Sequence, residues 1–172
     1  MPRTRIFVDT NIILESFRTD TWNVLCTQYA VETVEKCIEE ALTGNPNNPG
    51  HIAISNIKLT EGLSDRHNPT KQDITNLMLQ HPQTQGIDDG ELHLFAWLYA
   101  QNILANELIL ISTADKAAIV STGLLGWLDS VTSLEYLLNN AGVSNKQNKN
   151  LKNHYREKWL SNVKTQIKLE LI

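Results

Sequence analysis

Short apolar segments alternate with longer segments of helical periodicity along this chain, and that order restricts the folds open to it. Strands are predicted at residues 5–8, 51–55, 107–112 and 127–131. Between them, apolar residues recur three and four positions apart, as they do when one face of a helix is buried. Strands that alternate with helices favour a parallel sheet covered on both faces. We therefore expect an α/β three-layer sandwich with a central, mostly parallel sheet.

The predicted helices have recognisable starts and stops. One helix is expected at residues 22–42, before Gly44, and Thr70-x-x-Asp73 opens another. Further helices are expected near residues 56–63, 86–104, 113–123 and 132–142, and from about residue 150 onward. Cys26 and Cys37 fall in the first helix, roughly 16 Å apart along its axis. That distance excludes a disulfide between them and predicts two buried free thiols.

Composition predicts one domain without a membrane span. An apolar fraction of 41% in 172 residues is enough for a substantial core. No apolar run reaches the roughly 18 residues that a span requires. The first residues, MPRTRIFVDT, lack the apolar stretch of a secretory signal. The expectation is a cytoplasmic protein with no membrane partner.

The net charge of −4 is unevenly distributed. Residues 144–172 carry seven basic and two acidic side chains, so the preceding residues are net −9. We predict a body at residues 1–143 and a basic, amphipathic helical extension at residues 144–172. Within the extension, Lys152, Tyr155, Arg156 and Trp159 are candidates for binding nucleic acid through phosphate contacts and stacking. The alternative is a helix that packs its apolar stripe on the body or on a second subunit.

Four acidic residues are expected near one edge of the sheet. Asp9 directly follows the first strand, and Asp115 lies three residues after the strand that ends at Ser112. The carboxyl ends of parallel strands share an edge, where ligands bind in open α/β sheets. Glu61, in the helix after the second predicted strand, and Glu91, in the first turn of its helix, are within reach of that edge. We expect these four carboxylates to converge.

Converging carboxylates favour a particular chemistry. They repel one another, and one takes up a proton unless a cation compensates the charge. Mg²⁺ and Mn²⁺ prefer oxygen ligands and keep bound waters. Such a site activates water and stabilises charge during phosphoryl transfer. The residues therefore predict metal-dependent cleavage of a phosphodiester bond.

Four motifs, in this order, resemble those of the PIN-domain ribonucleases. They are VDTN after the first strand, SNIKLTEGL with Glu61, GELHLFAWLYA with Glu91 and LILISTADKAAI with Asp115. Together they span residues 5 to about 140. The resemblance implies a small α/β sandwich with a parallel sheet. It also implies an endonuclease that uses Mg²⁺ or Mn²⁺ and acts on single-stranded RNA.

The resemblance also implies roles for individual residues and partners. The four acids are the catalytic and metal-binding residues. Supporting hydrogen bonds are expected from Asn11 and from Ser112 or Thr113. Many members are toxins restrained by a small antitoxin protein, so an antitoxin and a homodimer are the expected protein partners. One departure is that a further acid often found after the last one has no counterpart, because Asp129 lies too far along.

Other interpretations of the same residues stay open. Asp9, Glu91 in Asp88-x-x-Glu91 and Asp115 in Ser112-x-x-Asp115 all fit helix caps. A haloacid-dehalogenase-like phosphatase also has an Asp after its first strand, but it needs a second one two residues later, where this chain has Asn11. A catalytically silent PIN-like module that binds RNA or a protein is the third hypothesis.

Overall fold

Five strands form one sheet in which all neighbouring strands are parallel. The computed structural model describes residues 2–172. The strands are β1 Arg5–Val8, β2 Ala30–Val34, β3 Asp65–His67, β4 Leu110–Ser112 and β5 Val131–Thr132. They lie in the order β3-β2-β1-β4-β5, with helices packed around the sheet. The predicted α/β three-layer sandwich with a parallel sheet is confirmed.

Helices make up most of the remaining chain. Their bounds are α1 Thr10–Arg18, α2 Trp22–Gln28, α3 Glu35–Leu42, α4 Asn56–Gly62, α5 Lys71–Gln80, α6 Asp89–Gln101, α7 Ile103–Asn106, α8 Lys116–Leu124, α9 Leu134–Asn140, α10 Asn145–Asn148 and α11 Glu157–Lys168. Short 3₁₀ turns cover Pro82–Gly86, Leu128–Ser130 and Asn153–Tyr155. The predicted capping box at Thr70 and Asp73 starts α5. The cap of α9 is Ser133, one residue later than predicted.

The central strand β1 is apolar because both of its faces are covered. Ile6, Phe7 and Val8 are fully buried. Strands covered on both faces read as continuous apolar runs, and this made β1 and β4 predictable. Val8 lies opposite Ser112, so the carboxyl ends of β1 and β4 are neighbours.

The helix predicted at residues 22–42 is wrong. The segment folds as α2, then the buried strand β2, then α3. Its apolar residues fit a helical period, yet Val31, Thr33 and Val34 are β-branched and favour a strand. Cys26 and Cys37 consequently lie in different helices, although both are free and buried as expected.

The strand predicted at residues 51–55 is also wrong. That segment has no regular structure, and the third strand along the chain is β3. Asp65, Arg66 and His67 give β3 no apolar signal, because it lies at the edge of the sheet. Charged side chains on an edge strand hinder pairing with another chain.

The C-terminal segment is packed on the body and is not one helix. Leu151 and Tyr155 belong to the main core. Leu160 and Val163 of α11 pack with Ile119 of α8 in a second, smaller apolar cluster. Among residues 2–172, no helix is long and apolar enough to cross a membrane.

Candidate metal centre

The sheet has a topological switch point between β1 and β4. From β1 the chain builds β2 and β3 on one side, and it then returns to build β4 and β5 on the other. Connections therefore leave β1 and β4 in opposite directions, which opens a crevice beyond their carboxyl ends. Ligands of open α/β sheets bind at such a crevice. Asp9 and Thr113 are the first residues beyond these two strands.

Asp9 is buried at this switch point with one carboxylate oxygen unpartnered. Its side chain is the N-cap of α1, where Oδ1 accepts a hydrogen bond of 3.0 Å from Ile12 N. The residue is 1% exposed, and Oδ2 has no hydrogen-bond partner. Capping therefore explains one oxygen of Asp9 and leaves the other without a donor.

Asp115 lies next to Asp9 at the carboxyl end of β4. Its Oδ1 accepts a hydrogen bond of 2.9 Å from Ala118 N and so caps α8. The Thr113 hydroxyl accepts a hydrogen bond of 3.3 Å from Asp115 N and is close enough to Asp9 to lower the pKa of that carboxyl. Ser112 has a structural contact, because its hydroxyl donates to Thr132 O at 3.1 Å. Of the two predicted supporting residues at the end of β4, Thr113 is the one beside the acids.

Glu91 is brought to the same place by the start of α6. Its Oε2 accepts a hydrogen bond of 3.3 Å from Asp88 N, as expected in a capping box. The side chain is 3% exposed, and Oε1 has no hydrogen-bond partner. Glu91 thus repeats the arrangement of Asp9, with one oxygen used in a helix cap and one buried without a donor.

The carboxyl groups of Asp9, Glu91 and Asp115 influence one another. Burial, assisted by the charge of Asp115 and opposed by hydrogen bonds from neighbouring groups, raises the pKa of Asp9 to about 6. Burial also raises the pKa of Glu91 to about 9, with further contributions from Asp9 and Asp115. At neutral pH a proton held among these carboxyl groups therefore reduces the repulsion between them.

Glu61 is not brought to these acids, so its expected place in the cluster is wrong. It is exposed on α4, which runs into the amino end of β3. The adjoining Gly62 lies against Trp22 and Cys26 of α2, which leads into the amino end of β2. Glu61 therefore lies at the opposite edge of the sheet. The prediction fails because residues 51–55, expected to be the strand before α4, form no strand.

Glu40 on α3 occupies the place expected for Glu61. Its Oε2 accepts a hydrogen bond of 2.6 Å from the Thr10 hydroxyl, and its Oε1 accepts one of 3.1 Å from Gly90 N. Thr10 and Gly90 adjoin Asp9 and Glu91 in the chain. We call Asp9, Glu40, Glu91 and Asp115 the acidic cluster.

The position of Glu40 was missed because β2 was missed. Once residues 30–34 are recognised as a strand, α3 becomes the helix that follows it, and Glu40 falls in the last turn of that helix. A β-branched segment followed by an acidic helix was the available signal. Asn11, in the first turn of α1, is half-buried and contributes its backbone N–H to Asp9.

Only some of the side chains predicted to bind nucleic acid are accessible in the extension. Tyr155 is 6% exposed within the core, so it has no open face for stacking on a base. Trp159 packs on the small cluster around α11. The Arg156 guanidinium donates to the carbonyl groups of Lys149 and Leu151. The prediction that Tyr155 stacks on a base is therefore wrong. Lys152 is exposed, and its contact with phosphate stays a prediction.

The C-terminal segment is anchored beside the acidic cluster. Glu15 of α1 is 2% exposed and accepts hydrogen bonds from Lys152 N, at 3.0 Å, and from the Arg18 guanidinium. Burial raises the pKa of Tyr155, and the charges of Asp9 and Glu15 raise it further. The segment that holds Tyr155 thus forms one side of the site.

The donor set of the acidic cluster fits a hard divalent cation. All of its side-chain donors are carboxylate oxygens, the ligands that Mg²⁺ and Mn²⁺ prefer. A buried polar atom without a partner costs about 1–3 kcal/mol, and two such oxygens occur here, on Asp9 and Glu91. Asp9 and Glu91 would hold such a cation together with Glu40 and Asp115, and its charge would offset the burial of these oxygens.

The tightest group of potential ligands lies elsewhere. Within residues 2–172, three donor atoms lie within 4.8 Å of one another only in the group of Glu32, Asp65 and His67. Both oxygens of Glu32 accept hydrogen bonds from Arg5, at 2.6 and 3.0 Å. Because that guanidinium already compensates Glu32, a second cation gains little there. The carboxylates of the acidic cluster are spaced more widely than this group.

Comparisons with known proteins assign no family to the chain. No family model matches it, and no match was found among curated proteins or solved structures. The resemblance to PIN-domain ribonucleases therefore depends on the four motifs. Membership of that family stays a prediction.

Proposed function

We propose that the protein is a Mg²⁺- or Mn²⁺-dependent endoribonuclease of the PIN type that cleaves single-stranded RNA. The observation that carries this proposal is the pair of buried, unpartnered carboxylate oxygens on Asp9 and Glu91 at the switch point. Folding keeps these oxygens without donors, which favours selection for a bound cation. Glu40 and Asp115 complete an all-oxygen set.

The chain positions this set through hydrogen bonds from backbone N–H groups and from the Thr10 hydroxyl. Helix caps fix one oxygen of Asp9 and one of Asp115, while Thr10 and Gly90 hold Glu40. When bound, the cation supplies an activated water and stabilises the charge that develops on the phosphate. The Thr113 hydroxyl stabilises charged Asp9 beside it.

We place the protein in the cytoplasm, a location that agrees with an RNA substrate and with the two free cysteines. A small restraining antitoxin and a homodimer are predictions that depend on the resemblance alone. We include them in the proposal as partners to be sought in a pull-down and by light scattering.

Cleavage of labelled single-stranded RNA tests the proposed activity. Wild-type protein is expected to cleave with Mn²⁺ or Mg²⁺ and to stop when EDTA is added. Asp9→Asn is expected to lose the activity, because it removes one carboxylate from the cluster. Glu61→Gln is the matched control and is expected to cleave at the wild-type rate. Full activity of Asp9→Asn contradicts the assignment.

A catalytically silent module that binds RNA or a protein is the second candidate. It is favoured by the wide spacing of the acidic cluster, because no three of its carboxylates bring donor atoms within 4.8 Å of one another. Such a module binds RNA in EDTA and leaves it intact with Mn²⁺, which separates the two candidates in the same assay.

A further inference from the structure

A cavity of about 430 Å³ opens between α8 and the 3₁₀ turn Pro82–Gly86. Its walls are mainly apolar, formed by Ile87, Ala117, Val120 and Leu124. Gln83 and Lys116 add an amide and an ammonium group. Apolar walls with a few polar groups, in a volume of roughly 300–1,000 Å³, are typical of sites for small organic groups.

The cavity adjoins the acidic cluster on both of its walls. Ile87 directly precedes Asp88, whose N–H holds Glu91, and Lys116 directly follows Asp115. Consecutive Cα atoms are about 3.8 Å apart, so one wall begins beside Asp115 and the other beside the residue whose N–H holds Glu91. The chain thus connects both walls of the cavity directly to the acidic cluster.

We propose that this cavity binds the nucleobase of the RNA nucleotide next to the cleaved phosphate, a proposal that rests on the proposed function. Bases of single-stranded RNA are unstacked and offer two apolar faces, which match the walls of Ile87 and Val120. The Gln83 amide carries both a donor and an acceptor for the edge of a base. Lys116, which forms no ion pair within residues 2–172, supplies a positive charge for the backbone.

Filling the cavity tests the proposal independently of cleavage. The binding protein is Asp9→Asn, which removes one negative charge near the phosphate, and the probe is a fluorescein-labelled single-stranded RNA. Adding Ala117→Phe to it is expected to raise the Kd measured by anisotropy about tenfold, since contacts to one base contribute about that much. The matched control is Ala105→Phe, an exposed alanine on α7, and is expected to change the Kd less than twofold. Equal melting temperatures of the two variants show that both fold.

An abasic probe identifies the bound group. Removing the base next to the cleaved bond is expected to weaken binding to Asp9→Asn about tenfold and to leave the Kd of the filled variant unchanged. Lys116→Gln is expected to lower the slope of log Kd against log salt concentration by about one.

The outcomes separate the two proposals. If wild type cleaves RNA but Ala117→Phe binds like Ala105→Phe, the cavity takes no base and the inference is overturned. If the Kd values differ as expected but wild type never cleaves, the inference stands and the nuclease proposal fails. If no variant binds RNA, the inference is overturned, and cleavage by wild type alone decides the nuclease proposal.

Discussion

Replacing Glu91 with glutamine is expected to stabilise the metal-free protein at neutral pH. The glutamine amide keeps an oxygen to accept from Asp88 N, so the helix cap is retained. At neutral pH folded Glu91 holds a proton that unfolded Glu91 has lost, and glutamine removes this difference. The effect of the substitution therefore measures the free-energy cost of taking up that proton on folding.

The size of the effect follows from the pKa of Glu91. Burial raises this pKa from 4.5 to about 9, so between those values folded protein binds one more proton than unfolded protein. The free energy of unfolding then falls by about 1.4 kcal/mol per pH unit as pH rises. From pH 4.5 to 7 this amounts to about 3 kcal/mol. The free energy of unfolding of Glu91→Gln does not fall in this way. At pH 7 the variant is therefore expected to have a Tm roughly 6–12 °C above that of wild type.

Urea unfolding in EDTA, followed by circular dichroism at a series of pH values, measures this difference. Glu91→Gln and wild type are expected to be equally stable near pH 4.5 and to diverge as pH rises. Glu61→Gln, an exposed glutamate at the opposite edge of the sheet, is the control and is expected to follow wild type. The reasoning is refuted if Glu91→Gln is no more stable than wild type at pH 7.

Three further substitutions test other parts of the site. Mn²⁺ is expected to raise the Tm of wild type but not of Asp9→Asn; an equal rise in both, measured by scanning calorimetry, would place the ion elsewhere. Glu15→Gln is expected to lower stability at pH 7 by about 1–3 kcal/mol, because a charged acceptor for Lys152 N and Arg18 is lost. The pKa of Glu15 is lowered in the fold, so the deficit should shrink as pH falls through that pKa, and a deficit independent of pH would contradict the assignment. Gly90→Ala is expected to cost about 1–3 kcal/mol by urea unfolding, since its Cβ would lie 2.4 Å from Glu40 Oε2, whereas Gly86→Ala meets no atom within 4 Å and should be tolerated.

The predictable parts of the fold are those fixed by local chemistry or by complete burial. β1 and β4 are covered on both faces, so their apolar runs were recognisable from the sequence. The starts of α5 and α6 carry capping boxes that involve only neighbouring residues. β2 and β3 were missed because β2 imitates a helical period and β3 is a charged edge strand.

The site was predictable to the extent that sequence order fixes the carboxyl ends of strands. Asp9 and Asp115 follow adjacent parallel strands, so their proximity depends only on β1 pairing with β4. Glu40 reaches the cluster through contacts with Thr10 of α1 and Gly90 of α6, which lie 30 residues before it and 50 after it. Packing between three helices decides that contact, and no local pattern encodes it.

The helix-cap and metal-ligand interpretations of the acids are compatible, although the sequence presented them as alternatives. A carboxylate has two oxygens, and a helix cap occupies one of them. In Asp9 and Glu91 the capping oxygen is satisfied and the second oxygen is buried without a donor. A cap alone would be equally well served with the second oxygen in water, where it needs no partner. Capping does not explain why the second oxygen is buried on both residues at the same edge of the sheet, and this burial is what supports the proposed cation.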